Sequence, residues 1–185
     1  LFVNCYSDCR DLVLSIRRPV QMCIRFSYSP DDGIQAHQSQ RILIESNEIF
    51  ALYGDSSGGC QAHSDGIELI GCRDVIVRGN LVYDVRSTAG IIIGDGGTAS
   101  GFSYNFTVEN NVFYIPESGF AGYAWSIDGL KLYGNVFWGA AYGGLSIGKD
   151  VSNMEMYNNI FSTVNYSHMG ASYNAAEHLG DYNLY

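Results

Sequence analysis

The fold is decided by Phe106-Thr-Val-Glu-Asn-Asn-Val-Phe-Tyr114, a stretch that returns twice further along the chain. The copies are Leu130-Lys-Leu-Tyr-Gly-Asn-Val-Phe-Trp138 and Met154-Glu-Met-Tyr-Asn-Asn-Ile-Phe-Ser162, and they begin at equal intervals along the chain. In every copy, two apolar residues in alternating positions precede an asparagine. Alternation at period two is the pattern of a β-strand that buries one face.

The motif also occurs around Asn47 and Asn80, and in a weaker copy around Asn183. The spacings between successive asparagines are 33, 31, 24, 24 and 24, which indicates a coil of constant length with loop insertions in its longer turns. One such coil cannot bury its apolar face alone, so neighbouring coils must stack. We therefore predict an all-β fold, a right-handed single-stranded parallel β-helix. It would form one domain over residues 1–185 and belong to a longer solenoid.

Two columns of side chains are predicted to run along this solenoid. An asparagine amide both donates and accepts hydrogen bonds, so stacked copies can bridge each turn to the turns above and below. This predicts an asparagine ladder. The residues two positions after each asparagine are predicted to stack inside the coil: Ile49, Val82, Phe113, Phe137 and Phe161.

Composition excludes several classes of function. The net charge is −9, and the absence of a basic stripe argues against a nucleic-acid partner. No run of 18 apolar residues exists, so we expect no membrane span. The five cysteines form no Cys-x-x-Cys pair, which argues against zinc, and we assign no residue as a metal ligand. Two glycosylation sequons, beginning at Asn105 and Asn165, fit an exported protein.

Two Asp-Gly-Ile units are the leading candidates for chemistry. Asp32-Gly-Ile34 and Asp65-Gly-Ile67 are separated by the same offset as the first two ladder asparagines, so we expect them to stack. Stacked strands lie about 4.7–4.9 Å apart, and two carboxyl groups so close resist joint ionisation, so one pKa should rise. With the adjoining Asp31 and His63, these aspartates form the predicted catalytic group.

Three interpretations of the Asp-Gly-Ile units stay open. Asp and Gly suit tight turns, so the units can be purely structural. Stacked carboxylates can also bind calcium, the one cofactor that the pattern suggests. The third interpretation is a carboxyl pair for acid–base catalysis. The next turn has Ala89 in the place of the acid, so the acids are confined to two turns.

A strip of aromatic residues, three positions after each ladder asparagine, is predicted to face outward. Such a strip can stack against sugar rings, or it can be ordinary packing beneath loops. Arg86 is the basic residue assigned to substrate binding, because a guanidinium can hold a uronic carboxylate bidentately. Its alternative role is a solvated surface charge. The aromatic strip comprises Phe50, Tyr83, Tyr114 and Trp138.

The Asn-x-aromatic turns and apolar doublets resemble the pectate-lyase/polygalacturonase superfamily of right-handed parallel β-helices. The match implies an enzyme that hydrolyses or eliminates polysaccharide bonds. The Asp-Gly-Ile units are similar to its Asn-Thr-Asp-Gly motif, whose catalytic Asp falls on Asp65, or on Asp32 by the same match. The family's Gly-His-Gly and Arg-x-Lys motifs are absent. The Asp-Tyr-Asn-Leu-Tyr ending at Tyr185, with His63-Ser-Asp-Gly-Ile67, more weakly resembles archaeal disaggregatase-related proteins.

These observations predict a carbohydrate-active protein, outside the cell or on its surface, with polysaccharide as its partner. Hydrolysis by Asp65 with Asp32 is the favoured chemistry, and lyase chemistry is its variant. The alternative is a non-catalytic module: an adhesin, an envelope or filament component, or a glycan-binding solenoid. Such a module could self-associate end to end or side by side.

Overall fold

The computed structural model describes residues 20–22, 25–29, 32–53, 64–86, 88–95, 103–117, 119–139, 143–148, 150–163, 169–171 and 179–181. Within these residues the secondary structure is entirely β, and no helix there is long and apolar enough to cross a membrane. The strands in chain order are β1 (Val20–Met22), β2 (Arg25–Ser29), β3 (Ile34–His37), β4 (Gln40–Glu45), β5 (Glu48–Leu52), β6 (Asp65–Ile70), β7 (Arg73–Arg78), β8 (Leu81–Val85), β9 (Ala89–Gly94), β10 (Tyr104–Glu109), β11 (Val112–Ile115), β12 (Phe120–Ala124), β13 (Ile127–Tyr133), β14 (Val136–Gly139), β15 (Gly143–Ile147), β16 (Val151–Ser152), β17 (Glu155–Tyr157), β18 (Ile160–Thr163), β19 (Met169–Ala171) and β20 (Leu179–Asp181).

The strands form three parallel sheets that the chain visits in rotation. Sheet I has the order β1-β4-β7-β10-β13-β17-β20, with β16 also paired to β13. Sheet II has the order β2-β5-β8-β11-β14-β18, and sheet III the order β3-β6-β9-β12-β15-β19. Each strand inside a sheet therefore pairs with the strand one coil earlier and the strand one coil later. This is the predicted parallel β-helix.

The apolar doublets of the sequence form the buried rows of sheet I. Ile44 pairs in register with Val77, and Val77 pairs with Val108, and all three side chains are buried. Intervening residues such as Leu43 and Ile76 face outward and are partly exposed. The period-two prediction is thus confirmed, and it holds because alternate Cβ atoms of a strand point to opposite faces.

The predicted asparagine ladder is present from Asn47 to Asn159. The backbone N–H and the side-chain amide of Asn47 both donate to Oδ1 of Asn80, at 2.9 and 2.8 Å. The same pair of bonds joins Asn80 to Asn111, Asn111 to Asn135, and Asn135 to Asn159. Each amide thereby satisfies turn groups that burial would otherwise leave unpaired. Asn183 lies outside the described residues.

The residue before each ladder asparagine adopts a left-handed backbone conformation. Its φ lies between 56° and 63° in all five described turns. Gly, Asn and Ser occupy these positions, and Gly and Asn are the residues that enter this region at the least steric cost. Each of these turns therefore requires two adjacent residues, a residue that tolerates the left-handed conformation and then the ladder asparagine. The left-handed residues are Ser46, Gly79, Asn110, Gly134 and Asn158.

A column of phenylalanine rings fills the interior behind sheet II. The Phe113 and Phe137 rings stack at 5.1 Å, and the Phe137 and Phe161 rings stack at 5.5 Å. All three are essentially inaccessible to water. Each ring therefore contributes roughly 2–3 kcal/mol of burial free energy as well as its stacking contacts. The predicted internal column is confirmed.

Candidate active site

The two Asp-Gly-Ile units stack as expected at the start of sheet III. Ile34 pairs in register with Ile67, and the N–H of Gly33 donates to the carbonyl of Asp65 at 2.8 Å. The glycines are required because a side chain at either position would clash with the next coil's carbonyl oxygen and with a core side chain. A Cβ on Gly66 would lie 2.4 Å from the carbonyl oxygen of Gly90 and 2.4 Å from Cγ1 of Val82.

The aspartates of these units form a short ladder of their own. The N–H of Asp65 donates to Oδ1 of Asp32 at 2.7 Å, and the N–H of Ala89 donates to Oδ1 of Asp65 at 2.8 Å. Each carboxyl therefore accepts the backbone N–H of the next coil. The ladder ends at Ala89, and the N–H of the following Phe120 donates instead to the carbonyl of Thr88 at 3.1 Å. This explains why two coils carry the acid and the third does not need it.

A third carboxyl group, that of Glu68, joins the pair. Asp32, Asp65 and Glu68 each offer an oxygen, and these oxygens all lie within 4.8 Å of one another. We call these three residues the carboxyl cluster. Gln35 links two of its members, because its amide donates to Oδ2 of Asp32 at 2.9 Å and to Oε1 of Glu68 at 3.1 Å. His37 Nε2 also hydrogen-bonds to Oε1 of Glu68.

Within the carboxyl cluster, the surroundings of Asp65 strongly shift its pKa. Burial, together with the charges of Asp32 and Glu68, raises the pKa of Asp65 from 3.8 to about 9, and the N–H of Ala89 opposes the shift. Asp65 has no exposed surface, whereas Asp32 is partly exposed. Burial disfavours the charged form of an acid, so Asp65 carries a proton at neutral pH. The prediction that one pKa of the stacked pair rises is confirmed.

The same three carboxyl groups are the described residues that could hold a metal ion. Calcium binds six to eight oxygens at about 2.3–2.6 Å, so oxygens on opposite sides of one ion lie up to about 5 Å apart. The separations within the cluster are compatible with that shell. The three carboxyl groups would supply part of the shell, and calcium stays a prediction.

Not all of the predicted catalytic residues can be placed. Asp32 and Asp65 converge, while Asp31 and His63 lie outside the described residues. Glu68 was not among the catalytic residues predicted from the sequence. A signal existed, because Gln35 and Glu68 each lie three positions after a ladder aspartate and pair directly across the sheet.

The residues predicted to bind substrate lie away from the cluster. Tyr83, Tyr114 and Trp138 form one row in register on the outer face of sheet II, whereas the cluster lies on sheet III. Tyr114 and Trp138 are exposed. The Phe50 and Tyr83 rings stack on each other at 5.1 Å with 7° between their planes, so they cover one face of each other.

Arg86 follows sheet II at the corner that leads to sheet III. Its Nε donates to Oδ1 of Asp84 at 2.8 Å, and its guanidinium lies 4.4 Å from the ring centroid of Tyr53. The hydrogen bond to Asp84 raises the pKa of Arg86 above its ordinary value. Arg86 is therefore a fixed cation and cannot act as a base.

A family model described as "Right handed beta helix region" matches residues 55–180, which is more than half of the chain. The protein therefore belongs to the right-handed β-helix family, and its fold is a right-handed parallel β-helix with an asparagine ladder. No curated protein and no solved structure matches the chain.

Proposed function

We propose that this protein is an extracellular or cell-surface β-helix enzyme that hydrolyses a polysaccharide at the carboxyl cluster. The observation that carries the proposal is the division of roles within the cluster. Asp65 keeps a proton up to a pH of about 9, beside two other carboxyl groups. Glycoside hydrolysis requires one carboxyl group that donates a proton and a second that accepts one.

Exposure distinguishes the roles of Asp65 and Asp32. Asp65 is fully buried and acts as a positioning residue and proton store, whereas the partly exposed Asp32 can touch the substrate. The Asp65 proton passes within the cluster to Asp32, whose carboxyl group protonates the glycosidic oxygen as the bond from the anomeric carbon to that oxygen breaks. Glu68, oriented by Gln35 and His37, takes a proton from the water that bonds to the anomeric carbon. The proton that Glu68 takes from water then returns within the cluster to Asp65, so each carboxyl group regains its starting protonation state.

The test is product analysis with conservative variants. The wild type, Asp65→Asn, Asp32→Asn and Glu68→Gln are incubated with a panel of polysaccharides, and the products are weighed by mass spectrometry. Asn at position 65 can still accept the N–H of Ala89 but cannot release a proton. We expect products with added water from the wild type, and a loss of at least about 100-fold in each variant.

Asp150→Asn is the matched control. It makes the same Asp-to-Asn change at an exposed residue of the turn that precedes β16, and its rate should stay within about twofold of the wild type. Unsaturated products would indicate that the protein is a lyase and not a hydrolase. Wild-type rates in all three cluster variants would refute the assignment of the cluster.

A second candidate function is a non-catalytic surface module. It is favoured by the aspartate ladder, because Asp32 and Asp65 serve the turn by accepting the next coil's N–H groups. It is also favoured by rows of uncharged outward residues on β8, β11, β14 and β18 of sheet II, against which a second copy could pack side by side. No cleavage by the folded protein, together with dimers or longer assemblies in light scattering, would select this candidate. The outward residues of that face are Leu81, Tyr83, Val112, Tyr114, Val136, Trp138, Ile160 and Ser162.

A further inference from the structure

Trp125 lies flat on the outer face of sheet III. A Cβ on Gly94 would lie 2.2, 2.4 and 2.5 Å from Cε2, Cζ2 and Cδ2 of the indole. Cε2 is a ring-fusion atom bonded to the other two, so such a position lies over the ring face and not at its edge. Gly94 is therefore glycine because the indole occupies the space that a side chain would take. Trp125 is also partly exposed, so part of its side chain is open to a ligand.

Neighbouring aromatic residues hold this indole in place. The Tyr123 ring lies 5.0 Å from the Trp125 ring, and the Phe120 ring lies 5.8 Å from that of Tyr123. A Cβ on Gly148 would lie 2.7 Å from Cβ of Trp125, so a second glycine admits the base of the side chain. The orientation of the indole is thus built into the sheet by two glycines and an aromatic neighbour.

The indole lies within reach of the carboxyl cluster. Gly94 pairs with Ile70 on β6, the strand that carries Glu68 two positions earlier. One strand spacing of about 4.8 Å and two steps along the strand, about 6.6 Å, place the two positions about 8 Å apart. A sugar ring stacked on Trp125 can therefore be close to a glycosidic bond at Glu68.

The charge of this face restricts the ligand. The six strands of sheet III contain Asp65 and Glu68 but no Lys or Arg. A polyuronate would bring carboxylates to an acidic surface that has no Lys or Arg on its strands to pair with them, and like charges repel. An uncharged pyranose has a face of C–H groups that is attracted to the negative face of an aromatic ring.

We propose that Trp125 is the stacking platform of the carboxyl cluster, and that it binds an uncharged pyranose unit of a neutral glycan. The inference rests on the proposed function, since it takes this face of sheet III as the one that receives a polysaccharide. It also places the sugar-binding aromatic residue on sheet III, and not in the aromatic strip that the sequence predicted on sheet II.

The chain has two tryptophans, Trp125 and Trp138, and this permits a direct test. In Trp138→Phe the emission reports on position 125 alone, and in Trp125→Phe it reports on position 138 alone. Both variants are titrated with cellohexaose, xylohexaose, mannohexaose, chitohexaose and hexagalacturonate, with excitation where tyrosine absorbs little. We expect a saturable emission change in Trp138→Phe with at least one neutral hexaose and none with hexagalacturonate, while Trp125→Phe stays unchanged.

Gly94→Ala is the second variant, because its methyl group displaces the indole without removing it. In a protein whose circular dichroism matches the wild type, we expect calorimetric affinity for the same hexaose to fall at least tenfold. If Gly94→Ala does not fold, Trp125→Ala supplies the same measurement. An unchanged affinity in the folded variant would overturn the proposal.

The remaining outcomes separate this inference from the proposed hydrolysis. An emission change at Trp125 without any cleavage would support the stacking platform and refute the proposed hydrolysis. If the protein cleaves a glycan but its Trp125 emission never changes, the stacking platform is refuted and the proposed hydrolysis stands. A signal confined to Trp138 overturns the platform in favour of sheet II, and a response to hexagalacturonate overturns the neutral glycan.

Discussion

Replacing Asp65 by Asn should change how the stability of the protein depends on pH. The pKa of Asp65 is raised from 3.8 to about 9 in the folded state, chiefly by burial. Its contribution to stability is therefore fully present below pH 3.8 and is lost progressively as the pH rises toward 9. Between these limits the folded chain holds a proton that the unfolded chain has released, so the free energy of unfolding falls as the pH rises.

The magnitude follows from one proton. A difference of one bound proton changes the free energy of unfolding by about 1.4 kcal/mol per pH unit, or about 4 kcal/mol between pH 5 and pH 8. In a chain of 185 residues this corresponds to a melting temperature lower by roughly 8–16 °C at the higher pH. Asn does not ionise, and its side-chain oxygen can accept the same N–H from Ala89, so this dependence should be absent from Asp65→Asn.

The assay is thermal and urea unfolding of the wild type, Asp65→Asn and Asp150→Asn at several pH values from 5 to 8. The wild type and the Asp150→Asn control should lose stability in parallel, because both keep the buried carboxyl group. Asp65→Asn should gain about 4 kcal/mol on the wild type across this range. Curves of equal slope for the wild type and Asp65→Asn would refute the argument that Asp65 is buried as a neutral acid.

Three further predictions concern the solenoid itself. Asn111→Ala should lower the free energy of unfolding by about 2–4 kcal/mol, because it removes the acceptor of the buried backbone N–H and amide of Asn80 and the donor to the carbonyl of Val77. The exposed Asn110→Gly should cost under about 1 kcal/mol, and equal losses in urea unfolding would contradict the ladder. Phe137→Ala should cost about 3–5 kcal/mol of unfolding free energy, because it opens a cavity in the column of stacked rings. The adjacent Trp138 points outward, so Trp138→Ala should cost far less. Calorimetric melting of the two variants therefore tests which side chain of the strand faces inward. Gly66→Ala should cost about 3 kcal/mol or more or prevent folding, because its methyl group would lie 2.4 Å from the backbone carbonyl oxygen of Gly90 on the next coil. A wild-type melting temperature would contradict this close approach of the two coils.

The candidate site was only partly accessible from the sequence. The offset that Asp32 and Asp65 share with Asn47 and Asn80 predicted that the two acids stack and that one pKa rises by mutual repulsion. Burial, the larger cause of the rise, was not predicted. The sequence did not indicate that Asp65 is fully buried, or that Glu68 reaches the same point. Both depend on how the side chains of successive coils pack against one another at the start of sheet III.

The outward aromatic residues of sheet II could be predicted from the sequence, whereas the position of Trp125 on sheet III could not. The row of Tyr83, Tyr114 and Trp138 follows from its constant distance to the ladder asparagine, because that distance sets strand register and face. The position of Trp125 over Gly94 has no such regularity. It arises from the absence of a side chain on the preceding coil, where Gly94 ends β9.

The sequence by itself determined the solenoid: the coil length, the inward rows, the asparagine ladder and the phenylalanine column. These features repeat every coil, and a repeat converts spacing along the chain directly into position along the axis. The tertiary structure alone decided the carboxyl cluster, the protonated state of Asp65 and the flat indole of Trp125. These features occur once, and they depend on burial and on side-chain direction between coils, which no spacing encodes.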